Sequence, residues 1–318
     1  MTLDRRSIDR TGGLRGRCGE TAELRLASAS LHRGEEPPIT GSGGSGTIFV
    51  TGCNLGCVFC QNYQISRQGM GRVVRSEEFT AIALGLQEKG AENINIVTGS
   101  HAVPAIVRFL DVARSGGLRI PVLWNSSAYE SLAMLELLKT RVDVYLPDLK
   151  TLDSGLAGQY FNAPDYPRHA AVAILKMIEF QGELCWESPG GRSNSSNSVL
   201  KKGVIIRHLV LPGHPGSTRE VIRWFAEHCR GKALLSLMTQ YTPVGLKEAP
   251  SGHEKAPERQ VNQGEYEQIL AWLEEFEVED GFYQELVAGD EWLPDFERQN
   301  PFSSELSVPL WHWKGGFV

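Results

Sequence analysis

Three cysteines stand close together in this chain: Cys53, Cys57 and Cys60, within Thr51-Gly-Cys-Asn-Leu-Gly-Cys-Val-Phe-Cys-Gln-Asn-Tyr63. The spacing is C-x3-C-x2-C, with no fourth cysteine nearby. Thiolates hold iron–sulfur clusters, and a cubane has four irons. Three local thiolates therefore leave one iron without a protein ligand. An iron held open in this way can bind and reduce a second molecule, whereas a fully ligated cluster mostly passes electrons. A structural zinc site instead wants four ligands, usually as cysteine or histidine pairs, and no histidine lies between His32 and His101. A disulfide framework does not suit a chain of 318 residues with six cysteines and no signal peptide. Chance grouping of structural cysteines is the remaining alternative. Phe59, just before the third cysteine, can shield a cluster from water.

Cys53, Cys57, Cys60 and the aromatic Phe59 resemble the signature of the radical S-adenosylmethionine (SAM) superfamily. That resemblance implies a [4Fe-4S] cluster whose open iron chelates the amino and carboxylate groups of SAM. One electron then cleaves SAM to methionine and a 5′-deoxyadenosyl radical, chemistry that belongs to the cofactors. The triplet says almost nothing about the substrate.

The rest of the composition sets outer bounds. A length of 318 residues with 41% hydrophobic content suits one large α/β domain or two small ones. A net charge of −6 and a pI near 5.8 give no reason to expect nucleic-acid binding. No apolar run approaches the roughly 20 residues that span a bilayer. The first ten residues carry charge but no apolar stretch, so neither a secretory signal nor a membrane is expected, and a cytoplasmic location is. Cys18, Cys185 and Cys229 are scattered and read as inert thiols.

Six β-branched or apolar runs read as strands: Thr47–Thr51, Ile94–Thr98, Ile120–Trp124, Val142–Leu146, Val204–Leu211 and Leu234–Met238. Helical patterns follow most of them, at Ser76–Lys89, Ala102–Ala113, Ala128–Lys139, Ala170–Phe180, Ser217–Cys229 and Gln263–Glu279. Ser76 reads as an N-cap, and Ser217-Thr-Arg-Glu220 as a capping box. The glycines of Gly41-Ser-Gly-Gly-Ser-Gly46 precede the first strand and read as an entry turn, not a phosphate cradle. Alternating strands and helices mean a parallel α/β fold. Six units suit a partial (β/α)6 barrel, a TIM-like form usual for the superfamily, with its chemistry at the C-terminal strand ends. The expected division is an N-terminal extension (1–44), a core barrel (45–241), and a C-terminal helix with an irregular tail (242–318). Trp292, Trp311 and Trp313 of that tail are expected to pack on the barrel, and 188–198 to form a polar surface loop.

Those strand ends bring a polar set to one rim: Gly99, Ser100 and His101, then Asn125, then Asp148 and Lys150, then Arg207 and Gln240. Arg207 and Lys150 suit the SAM carboxylate, while Asp148 and Asn125 suit hydroxyls or the ammonium. Asp148 with Lys150 also reads as a plain ion pair, and His101 as a helix cap. From about Ser45 to Tyr241 the chain is similar to the activating enzymes of glycyl radical enzymes, such as pyruvate formate-lyase activating enzyme. Val142-Asp-Val-Tyr-Leu-Pro-Asp-Leu-Lys150 resembles their Asp-x-Lys strand end, and Val204-Ile-Ile-Arg-His-Leu-Val-Leu-Pro-Gly213 their Ile-Arg strand. The match implies that Asp148, Lys150 and Arg207 contact SAM. Thr98-Gly-Ser-His101 stands where activases carry Gly-Gly-Glu, and Asn125 where they carry Asp. A closer resemblance is to a group of activase-like radical SAM proteins sharing Asn93-Ile-Asn-Ile-Val-Thr98, Asn125-Ser-Ser-Ala-Tyr129 and Asn162-Ala-Pro-Asp-Tyr166.

The resemblance implies an enzyme that abstracts hydrogen from a protein substrate, supplied with electrons by a donor such as flavodoxin or ferredoxin. Two alternatives stay open: a radical SAM enzyme acting on a small molecule or cofactor precursor, and a non-catalytic iron–sulfur redox protein.

Overall fold

The six apolar runs form strands, and each lies beside the next in parallel. The computed structural model describes residues 18–187, 198–244, 255–286 and 293–318, with the backbone of 7–8 and 14–15. The expected loop at 188–198 and Trp292 thus fall, Ser198 apart, outside the described residues. A small antiparallel ribbon, β1 (Ser7–Ile8) with β2 (Leu14–Arg15), comes first. Next are β3 (Arg25–His32), α1 (Pro37–Thr40) and β4 (Ser45–Val50), then α2 (Tyr63–Ser66), β5 (Arg72–Val73) and α3 (Ser76–Glu88). The repeat continues as β6 (Ile94–Val97), α4 (Val103–Ser115), β7 (Val122–Ser126), α5 (Leu132–Leu138) and β8 (Val144–Pro147). Helices α6 (Ser154–Phe161) and α7 (Tyr166–Gln181) and a short β9 (Cys185–Glu187) lead into β10 (Val199–Leu209). After them come α8 (Pro215–His228), β11 (Leu234–Met238), α9 (Gln263–Glu275), β12 (Gly281–Tyr283), β13 (Ser307–His312) and β14 (Gly316–Phe317).

The main sheet runs β12-β11-β10-β8-β7-β6-β4-β3-β13-β14 and does not close. Pairing is parallel from β4 to β12 and antiparallel where β3 joins β4 and β13 joins β3. This is the expected partial barrel, extended at both edges. The 1–44 segment adds a strand of its own, β3, to the sheet. The tail is less irregular than its sequence suggests: β13 pairs with β3, and Trp311 is fully buried there.

Strand parity separates two faces. Ile48, Ile94, Ile96, Trp124, Val204 and Ile206 belong to the large core under the helices, which also takes Cys229. Leu123, Val144, Leu146, Ile205 and Leu234 form a second cluster on the other face, closed by Ile39 of α1. Each such side chain contributes about 1.5–3 kcal/mol by leaving water. The same face carries polar residues toward the C-terminal strand ends, and there the site forms.

Neither of the two expected helix caps forms. Pro215 is preset for a first turn, so α8 begins upstream with His214 at its N-cap, and Ser217 lies inside the helix. Its Oγ meets Thr151 Oγ1 at 2.7 Å instead of capping. Ser76 is likewise the first residue of α3, after Arg75 at the N-cap. A capping box does form at α9: Asn262 Oδ1 accepts from Glu265 N at 2.9 Å, and Glu265 Oε2 accepts from Asn262 N at 3.0 Å. Hydrogen bonds from Arg259, and then from the Asn262 and Gly213 amides, hold the Glu265 carboxyl down at about 2 against the effect of burial. Glu265→Ala is expected to cost about 1–2 kcal/mol at neutral pH. Because the folded carboxyl titrates below the unfolded one, that contribution is complete above about 4.5 and fades as pH falls toward 2. Urea unfolding at pH 7 and pH 3 checks it; an equal deficit at both would contradict this origin.

Candidate active site

The cysteine loop leaves β4 through a turn only glycine can make. Gly52 has φ 90°, and a Cβ there would lie 2.4 Å from Glu20 Cγ and 3.0 Å from His101 Nε2. Backbone bonds then dock the loop on α6: Gly56 N donates to Phe161 O at 3.2 Å and Val58 N to Tyr160 O at 2.9 Å. Asn54 Nδ2 donates to Tyr129 O at 2.8 Å, and the Arg67 guanidinium donates to Cys57 O. Phe59 lies edge-on to Phe161 with ring centroids 5.7 Å apart, and 5.9 Å from the ring of Tyr241. Its ring dries one side of the loop.

All three thiols of the loop are free and line one cavity of about 270 Å³. Burial, followed by the neighbouring Cys57 and Cys60, pushes the Cys53 thiol up to about 12. Burial lifts Cys57 to about 11 even though Lys150 pulls it down. Thiols held this high keep their protons until a metal displaces them.

Asn125, Asp148, Lys150, Arg207 and Gln240 line the same cavity. A backbone bridge sets Asp148 beside Arg207, with Leu149 N donating to Arg207 O at 2.8 Å. Lys150 Nζ lies 2.7 Å from Asp148 Oδ2. Burial opposes charge on Lys150, but Asp148 and Cys57 outweigh it and raise its pKa. Tyr166 braces this turn: its hydroxyl donates to Asp148 O at 2.6 Å and accepts from Lys150 N at 2.9 Å. Arg207 is held by two acids, with Nε 2.9 Å from Glu36 Oε1 and Nη2 3.6 Å from Glu35 Oε2. The shorter contact is an ion pair without hydrogen-bond alignment. Burial opposes the Arg207 charge too, and Glu36, Glu35 and Asp148 together keep it on.

Gly99, Ser100 and His101, expected at the SAM contact, do not line the cavity. Thr98 takes a left-handed φ of 64°, and the chain leaves the strand direction there. Gly99 is a packing glycine, since a Cβ would lie 2.6 Å from the Trp124 ring. Ser100 Oγ donates to Glu130 Oε1 at 2.5 Å. His101 Nε2 pairs with Thr51 O at 2.9 Å, and burial holds the ring at about 4, hence neutral. His101 thus supports the start of the cysteine loop from beneath. Sequence reasoning missed Glu35, His32 and Phe302, which line the cavity, and Glu36 behind them. An acidic pair directly before Pro37-Pro38, next to a strand-like run, was the available signal.

Free thiols on a glycine-entered loop stand above buried charges at the strand ends of an open parallel barrel, a donor set that suits an iron–sulfur cluster. Residues 47–181 match the family model described as Radical SAM superfamily, so this stretch is a radical SAM domain. The chain is 29% identical over 274 residues to the "Uncharacterized protein MJ0674" of Methanocaldococcus jannaschii, covering 83% of this chain and 71% of that protein. Among solved structures, SuiB of Streptococcus suis shares the fold, with TM-score 0.50, 14% identity and 73% of this chain covered. The match spans 47% of SuiB, about half its length. A radical SAM methyltransferase from Sphaerobacter thermophilus aligns with TM-score 0.49 and 15% identity over 89% of this chain and 76% of that one.

The family uses a [4Fe-4S] cluster and SAM. The donor set fits the cluster: three free thiols face one cavity. Among the described residues no three His, Cys, Asp or Glu side chains gather tightly enough for a single metal ion.

Proposed function

We propose that this chain is an activase-like radical SAM enzyme that abstracts hydrogen from a protein substrate, with glycine Cα as the reacting position. The observation that carries the reading is a single cavity joining Cys53, Cys57 and Cys60 to Asp148, Lys150 and Arg207. When bound, the cluster supplies one electron at an open iron and SAM supplies the hydrogen-abstracting group. The three cysteines would hold the cluster. Lys150, kept charged by Asp148, suits a carboxylate, and Asn125, buried and facing the cavity, offers both donor and acceptor. Phe59 and its aromatic neighbours exclude water beside the third thiol. A flavodoxin or ferredoxin is the proposed electron donor. No described helix is long and apolar enough to cross a membrane, and a cytoplasmic location fits an oxygen-labile cluster.

One observation favours the small-molecule alternative: Pro294 and Phe302 of the tail wall part of the cavity. The test is deuterium transfer. Protein extract from source cells grown on glycine deuterated at Cα is added to the reduced, SAM-loaded enzyme. Deuterium is expected in the 5′-deoxyadenosine. Stimulation of SAM cleavage by the small-molecule fraction of the extract, and not by its protein, would overturn the protein-substrate reading.

A further inference from the structure

The segment between β3 and α1 brings one carboxylate into the cavity wall and a second behind it, and among the described residues only one cation meets them. Glu35 lines the cavity and Glu36 lies behind it, at 3.6 and 2.9 Å from the guanidinium of Arg207. The other cavity cation, Lys150, is already matched by Asp148 at 2.7 Å. One carboxylate is therefore in excess, and the Glu35 and Glu36 side chains are only 8% and 6% exposed. An unmatched carboxylate at such depth is costly. Burial, against the pull of Arg207 and helped by Glu36 and Asp148, accordingly lifts Glu35 to about 7.

Among the described residues, unpartnered buried atoms lie on His32, which lines the cavity, and on Asn95 and Glu36, which stand behind Glu35 and Arg207. Asn95 Nδ2 donates to Glu35 Oε1 at 3.0 Å, but its Oδ1 is buried and unpartnered. Glu36 Oε2 and His32 Nδ1 are also buried without a partner. His32 is 8% exposed, lines the cavity, and rests its ring against Phe302 with centroids 4.8 Å apart. Burial and the nearby Arg207 hold that ring at about 4, so it is neutral and one of its nitrogens is an acceptor. Buried polar atoms are nearly always satisfied in a native structure. A site with surplus negative charge and idle acceptors suits a ligand with positive charge and several N–H donors.

We propose that His32 and Glu35, the latter held in place by Asn95, form a subsite that binds the ammonium or guanidinium group of the substrate. Calling the ligand a substrate rests on the hydrogen-abstraction reading; the cation chemistry does not. The ammonium of SAM itself shares that chemistry, and the experiment separates the two.

Reconstituted, SAM-loaded protein is titrated anaerobically with methylguanidine and n-butylamine, with n-butyrate and n-butanol as controls. Wild type is expected to bind both cations, and both controls about tenfold more weakly or worse, the scale of one charged hydrogen bond. Glu35→Gln should weaken cation binding by about tenfold or more on the same scale, while SAM affinity stays within about twofold. His32→Ala, with a loss of about threefold expected, keeps the test open should Glu35→Gln not fold. Cations binding no better than butanol, or binding unchanged in both variants, would overturn the subsite. So would a tenfold loss of SAM affinity in Glu35→Gln, because Glu35 would then serve SAM. Failure of wild type to cleave SAM under dithionite would instead remove the functional reading, and the cation titration would still be readable.

Discussion

Anaerobically reconstituted protein is expected to hold about four irons and four sulfides per chain, and the Cys57→Ala variant almost none. Cys57 sits mid-loop, its carbonyl held by Arg67 and its thiol in the cavity with the other two. Removing it leaves two thiols for a cluster that needs three from this chain. The loop itself should survive, because its docking bonds come from Asn54, Gly56 and Val58. The buried thiols titrate high, near 12 for Cys53 and 11 for Cys57, so loading must expel their protons. Loading at limiting iron should therefore rise with pH between about 6 and 8. Iron and sulfide analysis with circular dichroism checks both statements. A variant lacking all three cysteines that keeps its iron, or zinc in the native site, would contradict them.

The second large effect concerns folding as much as binding. Arg207→Ala strands Glu35 and Glu36, both buried, and should destabilise the protein by about 3–5 kcal/mol, the usual cost of breaking a buried pair. Lys150→Ala is expected to act differently. Asp148 keeps a quarter of its side chain in solvent, so the main loss there is SAM affinity, about 1.5–3 kcal/mol. The sign of the pH dependence identifies the mechanism. Glu35 titrates at about 7, above its ordinary 4.5, and Arg207 is what pulls it down. Without Arg207 it rises further, and the folded chain then holds a proton that the unfolded chain has lost. Stability of Arg207→Ala should thus fall further behind wild type at pH 8 than at pH 5. Glu36→Gln in the same chain should restore part of it. Urea unfolding at the two pH values would sink this account if the deficit were equal at both and not relieved by Glu36→Gln.

What could be read in advance was local. The six parallel strands announce themselves by β-branched runs, and the cysteine spacing and the Asp148, Lys150 and Arg207 positions follow from short motifs. What could not be read depends on pairing across the whole chain. β3 and β13 meet across about 280 positions, Ser307 pairing with His32 and His312 with Ser28, and no periodicity in either segment announces that partner. His32 and Glu35 are brought to the cavity by β3, which pairs with β4 on one side and β13 on the other, and Phe302 lies just before β13. His101 shows the reverse case: its position after a strand suggests the rim, whereas beyond the left-handed Thr98 its ring pairs with Thr51 O and does not line the cavity. Asp148 and Lys150 could be read both as an ion pair and as site residues, and their 2.7 Å contact inside the cavity is compatible with both.

One measurement bears most directly on the claim that this cavity is a radical SAM site. Cluster-loaded protein, reduced with dithionite and given SAM, is assayed for 5′-deoxyadenosine and methionine. Equal amounts of the two are expected from wild type, and neither from Cys57→Ala. Fully loaded wild type that binds SAM, accepts the electron and yields no 5′-deoxyadenosine would contradict the account.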